Sequence, residues 1–223
     1  MPFLPKSVGA MRQLNVIDKL LVEVDTALRT LVPPVKRCSQ RPNPGQNTKE
    51  SLLNTEEKRH VAGLMRVNHA GEVAAQALYQ GQALAASQSL VKAQMSTAAK
   101  EEIDHLAWCE ERLNELDSSP SRLNVIWYTG SFFIGALAGL LGDKWSLGFV
   151  AETENQVTEH LKAHRLRLPP NDKKTQLILS QMQQDEASHA EAAIEAGAKK
   201  LPPLIKTVMR GVSKIMTQSS YYI

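Results

Sequence analysis

Glu102-Ile103-Asp104-His105 and Glu186-Ala187-Ser188-His189 are two copies of Glu-x-x-His, and each follows a lone glutamate at nearly the same distance. Glu72 lies 30 positions before Glu102, and Glu154 lies 32 before Glu186. The second set repeats the first 82 positions later for the lone Glu and 84 for the paired one. Residues at i and i+3 project from one face of a helix, so each Glu-x-x-His offers an oxygen and a nitrogen to the same point. A single copy would read as a solvated pair. Two copies with matched lone partners read as one site.

The turns test this independently. In an antiparallel helical hairpin, residues at equal depth are equidistant from the turn. The midpoint of Glu72 and Glu102 is Ser87, in Ala85-Ala86-Ser87-Gln88-Ser89; that of Glu154 and Glu186 is Pro170, in Leu168-Pro169-Pro170-Asn171-Asp172. The second is the strongest helix breaker in its region, and the first is a weaker polar stretch. Each lone Glu then sits level with its Glu-x-x-His, about 22 Å below the turn at 1.5 Å per residue. Two such hairpins, face to face, gather four carboxylates and two imidazoles, the ligand set of a di-iron or di-manganese site in a ferritin-like bundle. Hard carboxylates with imidazoles and no thiolate suit iron or manganese, unlike closed Cys-rich zinc sites. In the usual arrangement Glu102 and Glu186 bridge the metals while Glu72 and Glu154 each bind one terminally.

The rest of the pattern is helical. Leu14, Ile17, Leu21, Val24, Leu28 and Leu31 repeat at helical spacing until Pro33-Pro34 stops them. Residues 36–50, with Pro42, Pro44 and Gly45, read as a linker and the most mobile stretch. Asn54-Thr55-Glu56-Glu57 resembles a capped start to a helix reaching about Ala86. Further helices are expected at about 90–116, 146–166 and 173–198, with Asn171-Asp172 capping the last and Pro202-Pro203 opening a final amphipathic one. The expected fold is all-α: a ferritin-like four-helix bundle of two hairpins, with extra N-terminal, crossover and C-terminal helices. Residues 1–50 form an N-terminal helix and linker, and 51–223 the metal-binding domain.

Composition supports one domain. The 223 residues are 43% hydrophobic but only 5% aromatic, an aliphatic balance that favours helix over sheet. A net charge of +3 permits contact with an anionic membrane surface and falls short of a nucleic-acid footprint. Met1-Pro2-Phe3-Leu4-Pro5-Lys6 carries no apolar leader, so no signal peptide is expected. Cys38 and Cys109 lack metal-finger spacing and read as reduced thiols in a cytosol-facing protein. Cys109, four residues after His105, is expected to wall the site.

Several neighbours are candidates to stand behind the ligands. Asp104 and Asp185, beside the paired Glu or His, could orient the imidazoles. His69 shares a face with Glu72, but its counterpart in the second half is Ala151, which argues against a seventh ligand. His160 lies off the stripe of Glu154 and is read as lining a channel or facing solvent. Glu101 and Glu152 are read as solvated or supporting acids.

Residues 123–141 contain no charge and are long enough to raise a membrane span. A single crossing between the halves would put Glu72 and Glu102 on one side and Glu154 and Glu186 on the other. The segment, taken as 123–142, is therefore read as a crossover whose apolar face meets lipid or a hydrophobic substrate, with a buried helix as the alternative; its glycines weaken it as a helix. The last helix carries Leu204, Ile205, Val208, Met209, Val212, Ile215 and Met216 on one stripe and Lys206, Arg210 and Lys214 on another. That pattern suits an anionic bilayer or packing on the bundle equally.

Asn68-His69-Ala70-Gly71-Glu72, Glu102-Ile103-Asp104-His105-Leu106, Ala151-Glu152-Thr153-Glu154 and Asp185-Glu186-Ala187-Ser188-His189 resemble the motifs of the demethoxyubiquinone hydroxylase family, in its bacterial branch. The resemblance runs from about Leu53 to the C-terminus. It implies a di-iron monooxygenase of ubiquinone biosynthesis with two ferrous ions per chain on Glu72, Glu102, His105, Glu154, Glu186 and His189. It also implies a polyprenyl methoxy-methyl-benzoquinol and O2 as substrates and an external reductant. Further implied partners are other ubiquinone-biosynthesis proteins, at a peripheral position on the cytoplasmic face of the bacterial membrane. Glu159-His160-Leu161 departs from the family, where some members have paired His followed by Tyr, which leaves the role of this stretch open. The rival readings are a rubrerythrin-like peroxidase, a manganese catalase and an iron-binding bundle. The chain lacks the Cys-rich module usual in the first, and a soluble catalase has no need of the uncharged segment.

Overall fold

The computed structural model describes residues 15–32, 34 and 37–223. The readings on Met1 to Lys6, Leu14, Pro33 and Lys36 lie outside the described residues. Seven helices and no strand are present among those described: α1 Val16–Leu31, α2 Thr55–Ala85, α3 Ser89–Glu115, α4 Asn124–Leu140, α5 Asp143–Arg167, α6 Lys173–Glu195 and α7 Pro203–Tyr222.

Local chemistry starts and stops them. Asn54 accepts from the Glu57 backbone N–H while the Glu57 carboxylate accepts from the Asn54 N–H, a reciprocal cap on α2. Asn15 and Asp18 do the same for α1, and Asp172 caps α6 through the Thr175 N–H at 3.1 Å. Gly142, at φ 104°, allows the abrupt reversal between α4 and α5, where any side chain would be strained. Helix α5 accordingly begins three residues before the expected Ser146.

Helices α2 and α3 form one antiparallel hairpin and α5 and α6 the other. Their turns, 86–88 and 168–172, contain Ser87 and Pro170, the midpoints between the glutamates. Helix α5 runs antiparallel to α2, as the Gln82–Ser146 and Asn68–His164 bonds at opposite ends show. Helix α4 is the crossover, and it runs parallel to α2 from Asn124 beside His69 to Gly139 beside Gln82 and Ala85. Two of its glycines, Gly135 and Gly139, make the packing against α2, while Gly130 meets nothing within 4 Å and, as expected from sequence, only weakens the helix. A Cβ on Gly81 would collide with the α4 backbone at Phe132, and one on Gly135 with the α2 backbone at Leu78.

Two apolar layers fill the bundle. The lower contains Leu64, Met65, Trp108, Cys109, Leu113, Leu161, Ile178, Leu179 and Met182. The upper contains Tyr79, Val91, Met95, Leu147, Val150 and Ala193. The six acid and imidazole side chains of the two sequence sets lie between these layers on all four helices.

Outside the bundle, α4 presents Val125, Ile126, Phe133, Ile134, Leu137 and Leu140 to solvent. Helix α7 turns Ser220 and Tyr221 inward and leaves Leu204, Val208, Val212 and Ile215 exposed, so its apolar stripe is split between bundle and surface. Among the described residues no helix is long and apolar enough to cross a membrane.

Candidate metal centre

Glu72, Glu102, His105 and Glu186 converge so that one ligand atom from each lies within 4.8 Å of the others, all buried. His105 Nδ1 is the hub, 3.0 Å from Glu186 Oε1, 3.2 Å from Glu102 Oε2 and 3.4 Å from Glu72 Oε2. His189 joins from the other side, its Nδ1 3.1 Å from Glu186 Oε2 and 3.5 Å from Glu102 Oε1. Glu154 stands beyond them, fully buried, and accepts a hydrogen bond from the Tyr79 hydroxyl. Glu102 and Glu186 thus lie between the two imidazoles, with Glu72 towards His105.

Both imidazoles turn Nδ1 inward and donate from Nε2 outward. His105 Nε2 donates to Asp185 Oδ2 at 2.9 Å, and His189 Nε2 donates to Glu101 Oε2 at 2.6 Å. Each partner directly precedes the paired Glu of the opposite helix, so Glu101-Glu102 and Asp185-Glu186 are equivalent under the internal two-fold. Such a carboxylate fixes the tautomer and raises the basicity of the nitrogen facing a metal. Asp104 does not share this role. It bonds instead to the Gln40 N–H and the Arg41 guanidinium, because residues 37–50 run across α3 here.

That segment was expected to be the most mobile stretch, and its bonding contradicts this. Arg37 pairs with Glu110 and donates to the Arg29 and Thr30 carbonyls at the end of α1. Asn43 bonds Glu111, and Glu50 bonds the wholly buried Arg112. Charged partners on another helix turn a Pro-rich linker into a strap.

A family model described as Ubiquinone biosynthesis protein COQ7 matches residues 59–220, which include the converging Glu72, Glu102, His105 and Glu186 together with Glu154 and His189. The chain belongs to the COQ7 family. It is 62% identical over 213 residues to the 3-demethoxyubiquinol 3-hydroxylase of Legionella pneumophila strain Paris, covering 96% of this chain and 100% of that protein. Proteins of the same name from Acinetobacter baylyi and Acinetobacter baumannii are 54% identical over the same shares.

The electrostatics of this COQ7-family site favour a cation. Burial, then the charge of Glu102, pushes the Glu72 carboxyl well above the usual range; burial, then Glu186, does the same to Glu154. Burial opposes the charge on Glu102 too, but bonds with His105 and His189 outweigh it and hold its pKa well below normal. Burial likewise opposes a charge on His189, yet bonds to Glu102 and Glu186 bring its pKa to about 12. One oxygen, Glu102 Oε1, is buried without a well-formed hydrogen bond, with His189 Nδ1 facing it at 3.5 Å. Crowded carboxylates with an under-bonded oxygen, facing two imidazole nitrogens, fit a hard metal ion that the protein itself does not replace.

A cavity of ≈ 400 Å³ reaches the His189 side, between Ala93, Met95, Thr97 and Ala98 of α3, Leu147 and Val150 of α5, and Ala192 and Ala193 of α6. Tyr79, Thr97, Glu101, Ser188 and His189 are its polar lining. Sequence reading missed Tyr79, although its position seven after Glu72 puts it on the same face, and it underrated Glu101, whose parallel with Asp185 was visible in the two-fold.

The other candidates lie away from the ligand atoms. His69 is buried, accepts from Asn124 at Nδ1 and donates to Glu110 at Nε2, both at 3.3 Å. His160 packs against His164 with ring centroids 3.8 Å apart and the rings tilted by 56°, and His164 bonds Asn68. Burial pushes the pKa of His160 down to about 4. Glu152 pairs with Lys206 of α7. Cys109 lies in the lower apolar layer, where burial and then Glu72 push its thiol up, while Cys38 is exposed.

Proposed function

We propose that this chain hydroxylates the ring of a polyprenyl methoxy-methyl-benzoquinol with O2 in ubiquinone biosynthesis, using two iron ions. The buried two-fold cluster carries the reading, in a chain 62% identical along its length to a protein named for 3-demethoxyubiquinol hydroxylation. Glu72, Glu102, His105, Glu154, Glu186 and His189 are the proposed ligands. Two ferrous ions bring four positive charges to four carboxylates, and the neutral imidazoles complete the set. Bound iron supplies the activation of O2.

The chain's own residues do the rest. Asp185 and Glu101 hold the Nε2 protons of His105 and His189, keeping each Nδ1 free to ligate. Tyr79 holds one Glu154 oxygen and so orients the carboxylate. The apolar layers above and below exclude water from the cluster. The cavity ending at His189 admits the quinol ring, and its aliphatic walls suit a ring with methyl and methoxy groups. Electrons come from an external reductant.

The polyprenyl tail places the reaction at a membrane. The exposed apolar face of α4, with that of α7, seats the protein peripherally on the cytoplasmic leaflet, and other ubiquinone-biosynthesis proteins would meet it there.

Deleting the gene and profiling quinones tests the reading. The demethoxy intermediate should accumulate and be cleared by the wild-type gene but not by Glu186→Ala. Normal mature quinone in a deletion strain without a redundant enzyme would overturn it.

A further inference from the structure

The two ends of the metal centre are built differently. Arg41, on the strap, lies over the His105 end with its guanidinium forked between two helices. Its Nε donates to Asp104 Oδ2 on α3 and its NH1 to Asp185 Oδ2 on α6, each at 2.8 Å. Its NH2 lies 3.5 Å from His105 Nε2, and the group stacks on Trp108 at 5.0 Å. The backbone is fastened as well: the Gln40 N–H donates to Asp104 at 2.6 Å, and Trp108 Nε1 donates to the Arg41 carbonyl. Asp185, the carboxylate that orients His105, is thus held from two sides.

Among the described residues no such clamp is found at the His189 end. Glu101 orients His189 alone, its side chain 42% exposed beside the cavity, and among the described residues no Lys or Arg ion pair reaches it. A water or chelator can approach there, while the strap covers the other end.

We propose that Arg41 is a positioning residue: by bridging Asp104 and Asp185 it locks His105 onto its metal, so that the ion at the His105 end exchanges more slowly than the ion at the His189 end. The inference rests on the metal reading of the site. Removing the guanidinium leaves two carboxylates in its place with no cation between them, and Asp185 loses the partner that keeps it on His105. Lysine restores the charge but cannot donate to both carboxylates in the same fork.

Release of ferrous iron from the anaerobically loaded protein into excess chelator, followed by stopped flow, tests this. Wild type should release two ions per chain in two phases. Arg41→Gln should accelerate the slow phase at least about tenfold, the usual scale for losing a partner behind a ligand, and leave the fast phase unchanged. Arg41→Lys should fall between, and Glu101→Gln should accelerate only the fast phase. Because Arg41 acts through Asp185, Arg41→Gln with Asp185→Asn should release no faster than Asp185→Asn alone. A single wild-type phase, an unchanged slow phase in Arg41→Gln, equal acceleration of both phases, or additive effects in the double variant would each overturn the proposal. Should Arg41→Gln not fold, an unchanged slow phase in Arg41→Lys overturns it equally. Failure of wild type to hold two ions would sink the metal reading instead.

Discussion

Replacing Gly135 and Gly130, both in α4, with alanine should move stability in opposite directions. At Gly135 the new Cβ would stand 3.0 Å from the Leu78 carbonyl carbon and Cα, and closer still to its oxygen. Carbon atoms pack best at about 3.5–4.0 Å and the carbonyl oxygen is nearer than either carbon, so α4 must retreat from α2 by about 1 Å. All three obstacles are backbone, and no rotamer relieves them. Overpacking of this kind costs about 1–3 kcal/mol, and in a chain of this size each kcal/mol lowers Tm by about 2–4 °C. Gly135→Ala should therefore melt about 2–12 °C below wild type. At Gly130 nothing lies within 4 Å, and alanine there should add about 0.4–1 kcal/mol by restricting the unfolded chain. Calorimetry on both variants, loaded with metal, is the assay. Equal melting temperatures, or Gly135→Ala as stable as Gly130→Ala, would refute the close crossing of α2 and α4 on which the bundle's connectivity rests.

Acid should loosen the fold through the His160–His164 pair. Both are held below the ordinary 6.5, His160 at about 4, so the unfolded chain takes up protons first as pH falls. Their contribution is complete above pH 6.5 and is lost on descending from there towards pH 4, at most about 3 kcal/mol for His160. Urea melts of the metal-free protein at pH 7.5 and 5 should show a smaller pH loss in His160→Gln/His164→Gln; an identical loss would remove the pair from the explanation. At the membrane, Phe133→Glu with Leu137→Glu removes two side chains about 60% exposed on α4. At about 1.5–3 kcal/mol each, sedimentation with anionic vesicles should fall at least about 100-fold, and undiminished binding would refute the proposed lipid contact of α4.

The hairpins were legible because side chains that share one site must lie at equal depth, and equal depth is a matter of counting from Ser87 and Pro170. Glu72, Glu102, His105, Glu186 and His189, which do meet, could be named from spacing for the same reason. Contacts set by tertiary position were not legible. Arg41 meets Asp185 across 144 residues, and no pattern in a Pro-rich segment announces it. Asp104 looked like an orienting acid because it neighbours His105, yet helix geometry points it at the strap and brings Glu101 and Asp185 to the imidazoles. Gly135 and Gly139 of α4 look like helix weakeners in sequence because their gain lies in the other helix they allow close. Tyr79 is a polar tip on an apolar position, and only the buried Glu154 opposite gives it a purpose.

The central claim is a pair of metal ions shared by two symmetry-related Glu-x-x-His units. Elemental analysis of protein reconstituted anaerobically with ferrous iron tests it most directly. Two iron ions per chain are expected for wild type, with at most one when Glu102 and Glu186 are both replaced by alanine. One ion or none in the wild-type protein, or two retained in the double variant, would contradict it.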